Sequence, residues 1–430
     1  MKYLLILLLA LSLAIGCGEG QTRSNQHGGD AISADADASG TPSLDGGEDG
    51  GLEDVFSPDG SSADGGDLDA GDLDTAEPDI YVEPDTTDEA DIFVEPDVPI
   101  EPDIEEPAPG PFSIWMASNG SDSRDGRSSA AAVKTLNRVH EILVASDPET
   151  DVEVWIAPGR YRGQQVNWTF SVPGHTVKFS RLAGEEGRPV FDGCLSANNC
   201  PGGTWFKLTR SDGAETGLIF NYLRIENYQT AISFNGSRNA ESRSNGSNRI
   251  FGCYFSRIGN VFNTSLEPST AAVRLVNSDD NEIINNHFVD IINTRSPGRL
   301  HAIYAAHMSD RNRIERNRFV NNAGDPVRFR DYSNDNIIND NTFKKSAIGA
   351  AYSEWYCDHD TRNDCTKTTP ECPSWGNQFR DNHLNGNYAC GTLRTFIYYQ
   401  DDSASGCSPP SSGARRLRTS GNTHASTPCQ

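Results

Sequence analysis

The C-terminal three quarters of this 430-residue chain lack an excess of charge of either sign. Residues 18–110 hold 28 acidic side chains against one base, Arg23, and so carry a charge of −27. Residues 111–430 hold 33 acidic and 34 basic side chains and are almost neutral. Because no basic stripe runs through either part, nucleic acid is not an expected partner.

The sequence also lacks a hydrophobic run long enough to cross a bilayer. Its apolar run Tyr3–Ile15 follows Lys2 and is shorter than the roughly 20 residues of a spanning helix. Residues 1–16 are therefore interpreted as an export signal. The end of this signal, Ala14 to Cys17, resembles a bacterial lipobox with Ala14 where Leu is usual. The resemblance implies cleavage before Cys17 and lipidation of its thiol and new amine, and an ordinary secretory signal is the alternative.

Several acyl chains would anchor the protein stably, whereas one chain binds a membrane only marginally. We therefore expect an exported protein, lipid-anchored to the bacterial (outer) membrane and facing the surface or the periplasm. Residues 17–110 contain few large apolar side chains and repeat Glu-Pro-Asp at four places, starting at Glu77, Glu83, Glu95 and Glu101. This composition predicts a disordered acidic stalk after the lipidated cysteine. Calcium binding by its Asp residues is an alternative, although the spacing is not that of an EF-hand.

A phrase of the form N-x-h-x-x-N-x-F, with h apolar, recurs in the second half of the chain. Its five copies begin at Asn248, Asn281, Asn312, Asn336 and Asn377, and the first has Cys253 in place of the second Asn. A fixed phrase at intervals of a few tens of residues indicates a repeat architecture, whose units bury their faces by stacking.

A second phrase lies between the copies and alternates apolar and polar residues with period two, which is typical of strands. Its copies are Ala231–Phe234, Ala272–Leu275, Ala302–Ala305 and Pro326–Phe329. No helical stripe lies between them, which disfavours helical and leucine-rich repeats. The pattern predicts an all-β fold, a right-handed parallel β-helix solenoid in which the repeated Asn side chains stack as structural ladders.

The solenoid domain is predicted to span 111–430, with a strand from Ser113, an amphipathic helix within Ala130–Ala145 and a strand from Val152 before the Pro158-Gly159 turn. This order resembles the beginning of secreted pectate-lyase-like β-helix proteins, and the resemblance covers roughly 112–425. It implies an N-terminal capping helix that closes the open end of the solenoid. The resemblance is weak for function, because the fold hosts lyases, hydrolases, epimerases and non-catalytic adhesins.

Nine cysteines follow Cys17, and their number supports an oxidising compartment. Cys194 and Cys200 are close enough to close a small loop, and six more cysteines lie between 357 and 429. Eight are expected to form four disulfides, although the six late cysteines allow 15 pairings. Cys253 is expected to be the odd one, buried and unpaired. A zinc site within Cys357–Cys372 is an alternative with loose spacing.

The stacked coils predict two outward-facing columns along the second phrase. One holds Ser233, Arg274, Tyr304 and Arg328, and the other holds Asn235, Val276, Ala306 and Arg330. His301 and Asp325 precede these strands, and His307 and Asp331 follow them. The next coil is expected to supply a loop with Tyr352, Glu354, Trp355 and Tyr356.

Such a patch suits an acidic polysaccharide, because arginine binds carboxylate or sulfate through two parallel hydrogen bonds and aromatic rings pack on sugars. The substrate-binding candidates are Arg274, Tyr352 and Trp355. A polysaccharide lyase also needs a cation at the uronate carboxylate and a base for the neighbouring proton. The candidates for the cation are Arg274 or Arg328, and those for the base are Arg330, His301 or Tyr304. The idea of an arginine base comes from pectate-lyase-like enzymes by resemblance only.

Structural alternatives apply to the same residues. Arg328 and Arg330 could form a surface ion-pair network with Asp325 and Asp331, and Trp355 could pack beneath the disulfide-bonded loops. Glycoside hydrolysis needs two carboxyl groups at a defined separation. Those available are Asp279, Asp280, Asp310, Asp401 and Asp402, in turns where Asp is common for local reasons.

The leading interpretation is a monomeric surface protein that binds an acidic polysaccharide, and the sequence leaves open whether the protein also cleaves this polymer by β-elimination. The alternatives are a non-catalytic adhesin or structural envelope protein and, second, a glycoside hydrolase. No cofactor is required by the sequence, but Ca²⁺ could bridge turn carboxylates and substrate, and its ligands cannot be named.

Overall fold

The computed structural model describes residues 111–182, 187–345, 350–363, 365, 370–386, 397–400 and 405–425. The predicted signal 1–16, Cys17 and the stalk to residue 110 lie outside these ranges, as do Cys390, Cys429, Asp401 and Asp402. In the ranges given, no helix has both the length and the hydrophobicity needed to cross a bilayer.

In the described residues, three parallel sheets form the domain, and successive coils contribute strands to them in turn, the first and the last coil to fewer than three. Sheet 1 contains ten strands: Phe112–Met116, Val152–Ile156, Val177–Arg181, Leu218–Asn221, Arg249–Phe251, Glu282–Ile284, Arg313–Glu315, Ile337–Asn339, Asn377–Arg380 and Leu417–Ser420. Sheet 2 contains nine: Gly159–Arg162, Pro189–Asp192, Arg224–Glu226, Tyr254–Gly259, His287–Ile292, Arg318–Asn322, Thr342–Lys345, His383–Gly386 and Thr423–His424. Sheet 3 contains eight: Val166–Trp168, Thr204–Thr209, Thr230–Asn235, Ala271–Val276, His301–Ala306, Val327–Arg330, Tyr352–Trp355 and Ile397–Tyr399.

A short parallel pair, Asn245–Gly246 with Ser278–Asp279, lies between sheet 3 and sheet 1. Three 3₁₀ turns span Ser129–Ala131, Glu241–Arg243 and Pro297–Arg299. Every strand pairing in the three sheets is parallel, and partner residues are one coil apart in sequence, as in Ile250 with Ile283 and Ile283 with Ile314. The predicted all-β, right-handed parallel β-helix is confirmed.

The repeated asparagines form two ladders at the two ends of the sheet 1 strands. In one ladder the backbone N–H of Asn312 and its side-chain amide both donate to Asn336 Oδ1, at 2.8 and 3.0 Å. In the other, Asn317 bonds Asn341 in the same way and also donates to the carbonyl of Ile283 at 2.8 Å. These amides satisfy backbone groups that the bend between two strands leaves without a sheet partner. Asn422, one coil beyond the last predicted copy, adds a further rung.

The phenylalanines of the phrase stack inside the solenoid. Phe288 lies 4.8 Å from Phe255 and 5.2 Å from Phe319, ring centre to ring centre, with interplanar angles of 10° and 12°. Parallel strands bring identical residues into register about 4.8 Å apart, so one aromatic position per coil becomes a continuous column. All these rings are fully buried.

The predicted capping helix spans Leu136–Ser146. Thr135 is its N-cap, accepting a hydrogen bond from the Arg138 backbone N–H at 3.1 Å. One face of the helix is buried, and its buried residues are Leu136, Val139, Ile142 and Leu143. This apolar face joins the same hydrophobic core as the strands of the first coils and covers their interior.

Three disulfides lie in the described residues: Cys194–Cys200, Cys357–Cys365 and Cys372–Cys407. The small loop predicted for Cys194 and Cys200 is confirmed, and so is the buried, unpaired Cys253. The zinc alternative is wrong, because Cys357, Cys365 and Cys372 are all oxidised. Cys357–Cys365 lies within the long connection that follows the strand Tyr352–Trp355, and Cys372–Cys407 joins this connection to the one after Ile397–Tyr399.

Candidate functional site

The strand registers of sheet 3 place the predicted columns as expected. Ser233 pairs with Arg274, Arg274 with Tyr304, and Tyr304 with Arg328. The second column runs through Asn235, Val276, Ala306 and Arg330 in the same register. The first column extends one coil earlier to Lys207, which pairs with Ser233. We call the five residues of this first column the sheet 3 column: Lys207, Ser233, Arg274, Tyr304 and Arg328.

The segment with Tyr352 and Trp355 is a strand of sheet 3 and not the predicted loop. Tyr352 pairs with Val327 and Glu354 with Phe329, so both point into the solenoid, and neither is exposed. The prediction that Tyr352 contacts a substrate is therefore corrected, since its ring packs against Phe329 and Phe379 in the core. Trp355 pairs with Arg330 and faces outward.

The buried carboxylate of Glu354 is compensated inside the solenoid. Arg416 bonds it through Nε at 3.1 Å and through Nη2, and the Ser374 N–H donates to it at 2.9 Å. Burial raises the pKa of Glu354, and the Arg416 charge opposes this shift. This pair holds the last coils together and lies away from the outer face.

Arg274 is half-buried at the centre of the sheet 3 column. Its Nε is buried without a hydrogen-bond partner, and within the described ranges its guanidinium reaches no carboxylate. Its Nη atoms are not buried and make no hydrogen bond within the described ranges, so they are the donors that a ligand oxygen can reach. Arg274 therefore has both the charge and the unmet hydrogen-bonding capacity to bind an anionic group.

Tyr304 lies beside Arg274 in the next coil and is 7% exposed. Its hydroxyl accepts a hydrogen bond from Arg330 Nη1 at 3.2 Å, so a positive charge lies at the phenol oxygen. The ring of His301 stacks on Tyr304 at 5.7 Å with an interplanar angle of 16°. These contacts fix the phenol next to the unpaired guanidinium of Arg274.

His301 is buried, and its Nδ1 lies 2.8 Å from the carbonyl oxygen of Asp325. Because a carbonyl can only accept, Nδ1 carries the proton, and Nε2 has the lone pair. Burial and then the charge of Arg328 lower the pKa of His301 to about 3. The imidazole is therefore neutral at physiological pH and a weak base.

Arg328 is paired within the protein, as one of the structural alternatives anticipated. It donates to Asp325 Oδ2 at 2.8 Å and to Ser353 Oγ at 2.9 Å. Burial alone would raise the pKa of Asp325, but the Arg328 charge holds it below its usual range. Its positive charge is compensated by Asp325, which weakens the case for Arg328 as the substrate's cation.

Arg330 binds Glu371 and not the Asp331 that the sequence suggested. Two parallel hydrogen bonds of 2.7 Å join its Nε and Nη2 to the Glu371 carboxylate. The guanidinium carbon also lies 4.6 Å from the Trp355 ring centre. Such a two-pronged pair stabilises the charged form of arginine, whereas a base must lose that charge. The geometry gives Arg330 the role of holding Tyr304 and the Glu371 loop.

A candidate metal-binding group lies directly after the ends of two sheet 3 strands, His301–Ala306 and Val327–Arg330. One ligand atom from each of His307, Asp331 and Glu371 falls within 4.8 Å of the others. The cluster is already charge-balanced, since Arg330 pairs with Glu371 and Arg238 Nη2 lies 2.8 Å from His307 Nε2. An imidazole with two carboxylates also differs from the all-oxygen set that Ca²⁺ prefers.

Two of the carboxylates suggested for glycoside hydrolysis, Asp279 and Asp310, build a third ladder. Asp279 Oδ1 accepts from the Asp310 N–H at 2.8 Å, and Asp310 Oδ1 accepts from the Asn334 N–H at 2.6 Å. Arg311 binds Asp280 through two hydrogen bonds of 2.9 and 2.8 Å. These contacts favour the structural alternative, in which Asp occurs at this turn because its carboxylate accepts backbone hydrogen bonds.

Sequence reasoning missed Lys207, Glu371 and Arg238. Lys207 could have been found, because Phe206-Lys207-Leu208 alternates like the later strands although its coil lacks the asparagine phrase. Glu371 and Arg238 lie in connections between strands, 41 residues after and 69 residues before their partners Arg330 and His307. No local pattern marks such contacts.

Neither a protein-family model nor a curated protein matches this sequence. Among solved structures, an alginate lyase from Paenibacillus sp. str. FPU-7 is 13% identical over 74% of this chain and 97% of its own, with a TM-score of 0.43. The pectate lyase Pel9A is 11% identical over 75% of this chain and 82% of its own, with a TM-score of 0.40.

The catalytic domain of a GH87 alpha-1,3-glucanase is 12% identical over 66% of this chain, with a TM-score of 0.42, and the chain spans only 41% of its length. It spans 56% of a GH136 lacto-N-biosidase from Eubacterium ramulus. At such similarity these proteins say nothing about what this chain does. The fold rests on the chain's own strand registers.

Proposed function

We propose that the outer face of sheet 3 binds an acidic polysaccharide, with Arg274 as the residue that contacts its anionic group. The observation that carries this proposal is the unpaired, half-buried guanidinium of Arg274 between Ser233 and Tyr304. Val276, Ala306 and the Tyr304 ring beside it are buried, so the half-buried Arg274 is the cation that this part of the face presents to a ligand.

A second, finer proposal is β-elimination at the same place, and the adjacency of Arg274 and Tyr304 favours it. With a uronate carboxylate on Arg274, the phenolate form of Tyr304 would take the proton from the carbon next to that carboxylate. The electron pair forms a carbon–carbon double bond as the glycosidic C–O bond breaks, and the proton passes to the departing oxygen. Arg274 stabilises the charge that develops on the carboxylate, and Arg330 the charge on the phenol oxygen.

The test uses the full chain, exported so that its disulfides form, with pectic, alginate and glycosaminoglycan polymers, with and without Ca²⁺. Retention in affinity gels measures binding, and ultraviolet absorbance of the unsaturated sugar measures elimination. Arg274→Ala should weaken binding about 10- to 100-fold, because charge-assisted hydrogen bonds contribute about 1.5–3 kcal/mol. Arg181→Ala is the matched control, since Arg181 is an exposed arginine on sheet 1. Tyr304→Phe should abolish the absorbance change and keep the retention.

Each result decides between the functions. Retention that Arg274→Ala removes and Arg181→Ala preserves supports binding at sheet 3. Retention without any absorbance change makes the protein a binding module and removes the catalytic role of Tyr304. No retention of any acidic polymer contradicts the proposal and leaves an adhesin or envelope role.

We also propose that the protein is exported and held at the bacterial (outer) membrane through Cys17, as a monomer on its acidic stalk. The three disulfides among the described residues support an oxidising compartment. The assays above are best run at about 0.15 M salt, because the −27 charge of residues 18–110 repels anionic polymers less when the Debye length is about 8 Å.

A further inference from the structure

Positive charge appears in every second coil of the sheet 3 column. The paired residues, in order, are Lys207, Ser233, Arg274, Tyr304 and Arg328, so a hydroxyl separates each cation from the next. Neighbouring strands lie about 4.8 Å apart, so cations two coils apart are separated by about 10 Å at the backbone.

Two of these cations are free to bind a ligand. Lys207 resembles Arg274 in having no carboxylate partner within the ranges that the structure describes. Arg328, in contrast, is paired with Asp325 at 2.8 Å. Uncompensated charge is therefore present at Lys207 and Arg274 and absent from the coil between them, where the Ser233 hydroxyl donates to Asn235 Oδ1 at 3.1 Å.

We propose that the ligand of the sheet 3 column is a polysaccharide whose sugars alternate between anionic and neutral, bound along the solenoid axis with its charges on Lys207 and Arg274. This inference rests on the proposed function and names its substrate class. An extended glycan advances by about one strand spacing per sugar, so anionic sugars two residues apart meet the two cations. The neutral sugar between them lies over the coil of Ser233, whose side chain is buried and uncharged.

A polymer with a carboxylate on every sugar fits this column less well. Its middle carboxylate would meet the Ser233 hydroxyl and no cation, and transferring an unpaired charge from water to a half-buried face is unfavourable. The anionic group can be a carboxylate or a sulfate, since arginine and lysine bind both. The inference therefore concerns the spacing of the charges.

The test uses isothermal titration calorimetry to compare the affinities of oligosaccharides of matched length for the full chain. Hyaluronan carries a carboxylate on alternate sugars, κ-carrageenan a sulfate on alternate sugars, and polygalacturonate a carboxylate on every sugar. We expect at least one alternating oligosaccharide to bind at least tenfold more tightly than polygalacturonate. Which of the two binds identifies the anionic group.

A double variant of unchanged composition tests the spacing directly. Ser233→Arg combined with Arg274→Ser moves the second cation to the coil next to Lys207, so the charges lie one sugar apart. The preference should then shift toward polygalacturonate by about tenfold. Lys207→Ala should weaken the binding of the alternating oligosaccharide more than the binding of polygalacturonate. This single variant also tests the spacing if the double variant does not fold.

The outcomes separate this inference from the proposed function. If no acidic oligosaccharide binds, both are wrong. If polygalacturonate binds as tightly as the alternating oligosaccharides, and Arg274→Ala abolishes its binding, the acidic-glycan function stands and the alternating spacing is overturned.

Discussion

Asp310 illustrates how a single position in the fold changes a side chain's chemistry. Its carboxylate is largely buried in the turn between sheets 3 and 1, where Oδ1 accepts from the Asn334 N–H. Burial, together with the nearby charges of Asp279 and Glu241, raises its pKa to about 7. Between pH 3.8 and about pH 7, the folded state therefore holds a proton at Asp310 that the unfolded chain releases.

This shift makes Asp310 a source of pH dependence. The folded pKa lies above the unfolded value, so its contribution to stability is present at low pH and is lost as the pH rises through about 7. Asp310→Asn keeps the acceptor for Asn334 and removes the charge. It should raise the melting temperature at pH 8 by at least about 2 °C and have a smaller effect at pH 4.5.

Thermal denaturation at both pH values checks this prediction. Asp280→Asn is the control, because Asp280 is exposed and bound to Arg311, so its removal should bring no gain at pH 8. An equal change for Asp310→Asn at both pH values would contradict the buried, protonated state.

The same scale decides between the candidate catalytic residues. His301, Arg328 and Arg330 are all occupied by contacts within the protein, with the Asp325 carbonyl, the Asp325 carboxylate and Glu371 respectively. Arg274 has no such partner among the described residues. We therefore regard Arg274 and Tyr304 as the pair on which the function is best tested.

At the scale of elements, the asparagine ladders set the geometry of every coil from Asn248 onward. Each Asn of the second ladder, such as Asn317, receives an N–H from the coil before it and donates to a carbonyl of a sheet 1 strand. The turn from sheet 1 to sheet 2 is thereby held to the same short path in each coil. The strands of sheet 3 then start in register, and this register creates the columns.

The ladder predicts that two substitutions affect the free energy of unfolding to different extents. Asn317→Ala leaves the buried N–H of Asn286 without its acceptor and removes one hydrogen bond each from the Asn286 side-chain amide, which keeps its bond to the Ile250 carbonyl, and from the Ile283 carbonyl. We expect a loss of about 3 kcal/mol in the free energy of unfolding, since a buried N–H without an acceptor costs about 1–3 kcal/mol and each lost hydrogen bond about 0.5–1.5 kcal/mol. Cys253→Asn should be close to neutral, because a side-chain amide there can replace the Sγ contact with the Phe220 carbonyl.

Urea denaturation of both variants measures these differences. Comparable destabilisation by the two substitutions would mean that the cysteine position cannot accept a ladder rung. A neutral Asn317→Ala would show that the ladder follows the fold and does not support it.

At the scale of the whole molecule, charge and fold are separated along the chain. The domain that the structure describes belongs to the nearly neutral residues 111–430, whereas the charge of −27 lies in residues 18–110. Within the domain, the capping helix covers one end of the core, and the disulfide-bonded connections lie at the edge of sheet 3. The proposed ligand binding and the proposed surface attachment would therefore belong to different parts of the chain.

The proposed anchor predicts a change in the location of the whole protein. Cys17→Ser removes the thiol that acyl chains would modify, and two or more such chains are needed for stable attachment. In fractionated cells the wild-type chain should be found in the detergent-extractable membrane fraction and the variant in the soluble fraction. Release of both proteins would favour an ordinary secretory signal.

The sequence by itself determined the solenoid and its outward columns. Both follow from patterns that repeat in every coil, the asparagine phrase and the period-two strand, and in-register parallel pairing carries a local pattern over the whole domain. The coils before Asn248 lack the phrase, so their strands, and Lys207 with them, were harder to recognise.

Only the tertiary structure decided which charges are free. Arg330 is neutralised by Glu371, 41 residues away, and the inward Glu354 is neutralised by Arg416, 62 residues away. Glu354 also explains why Tyr352–Trp355 was expected to be a loop, since a carboxylate at an inward position hides the alternation of a strand. The pairing of charges depends on the path of connections between coils, and no pattern within one coil specifies that path.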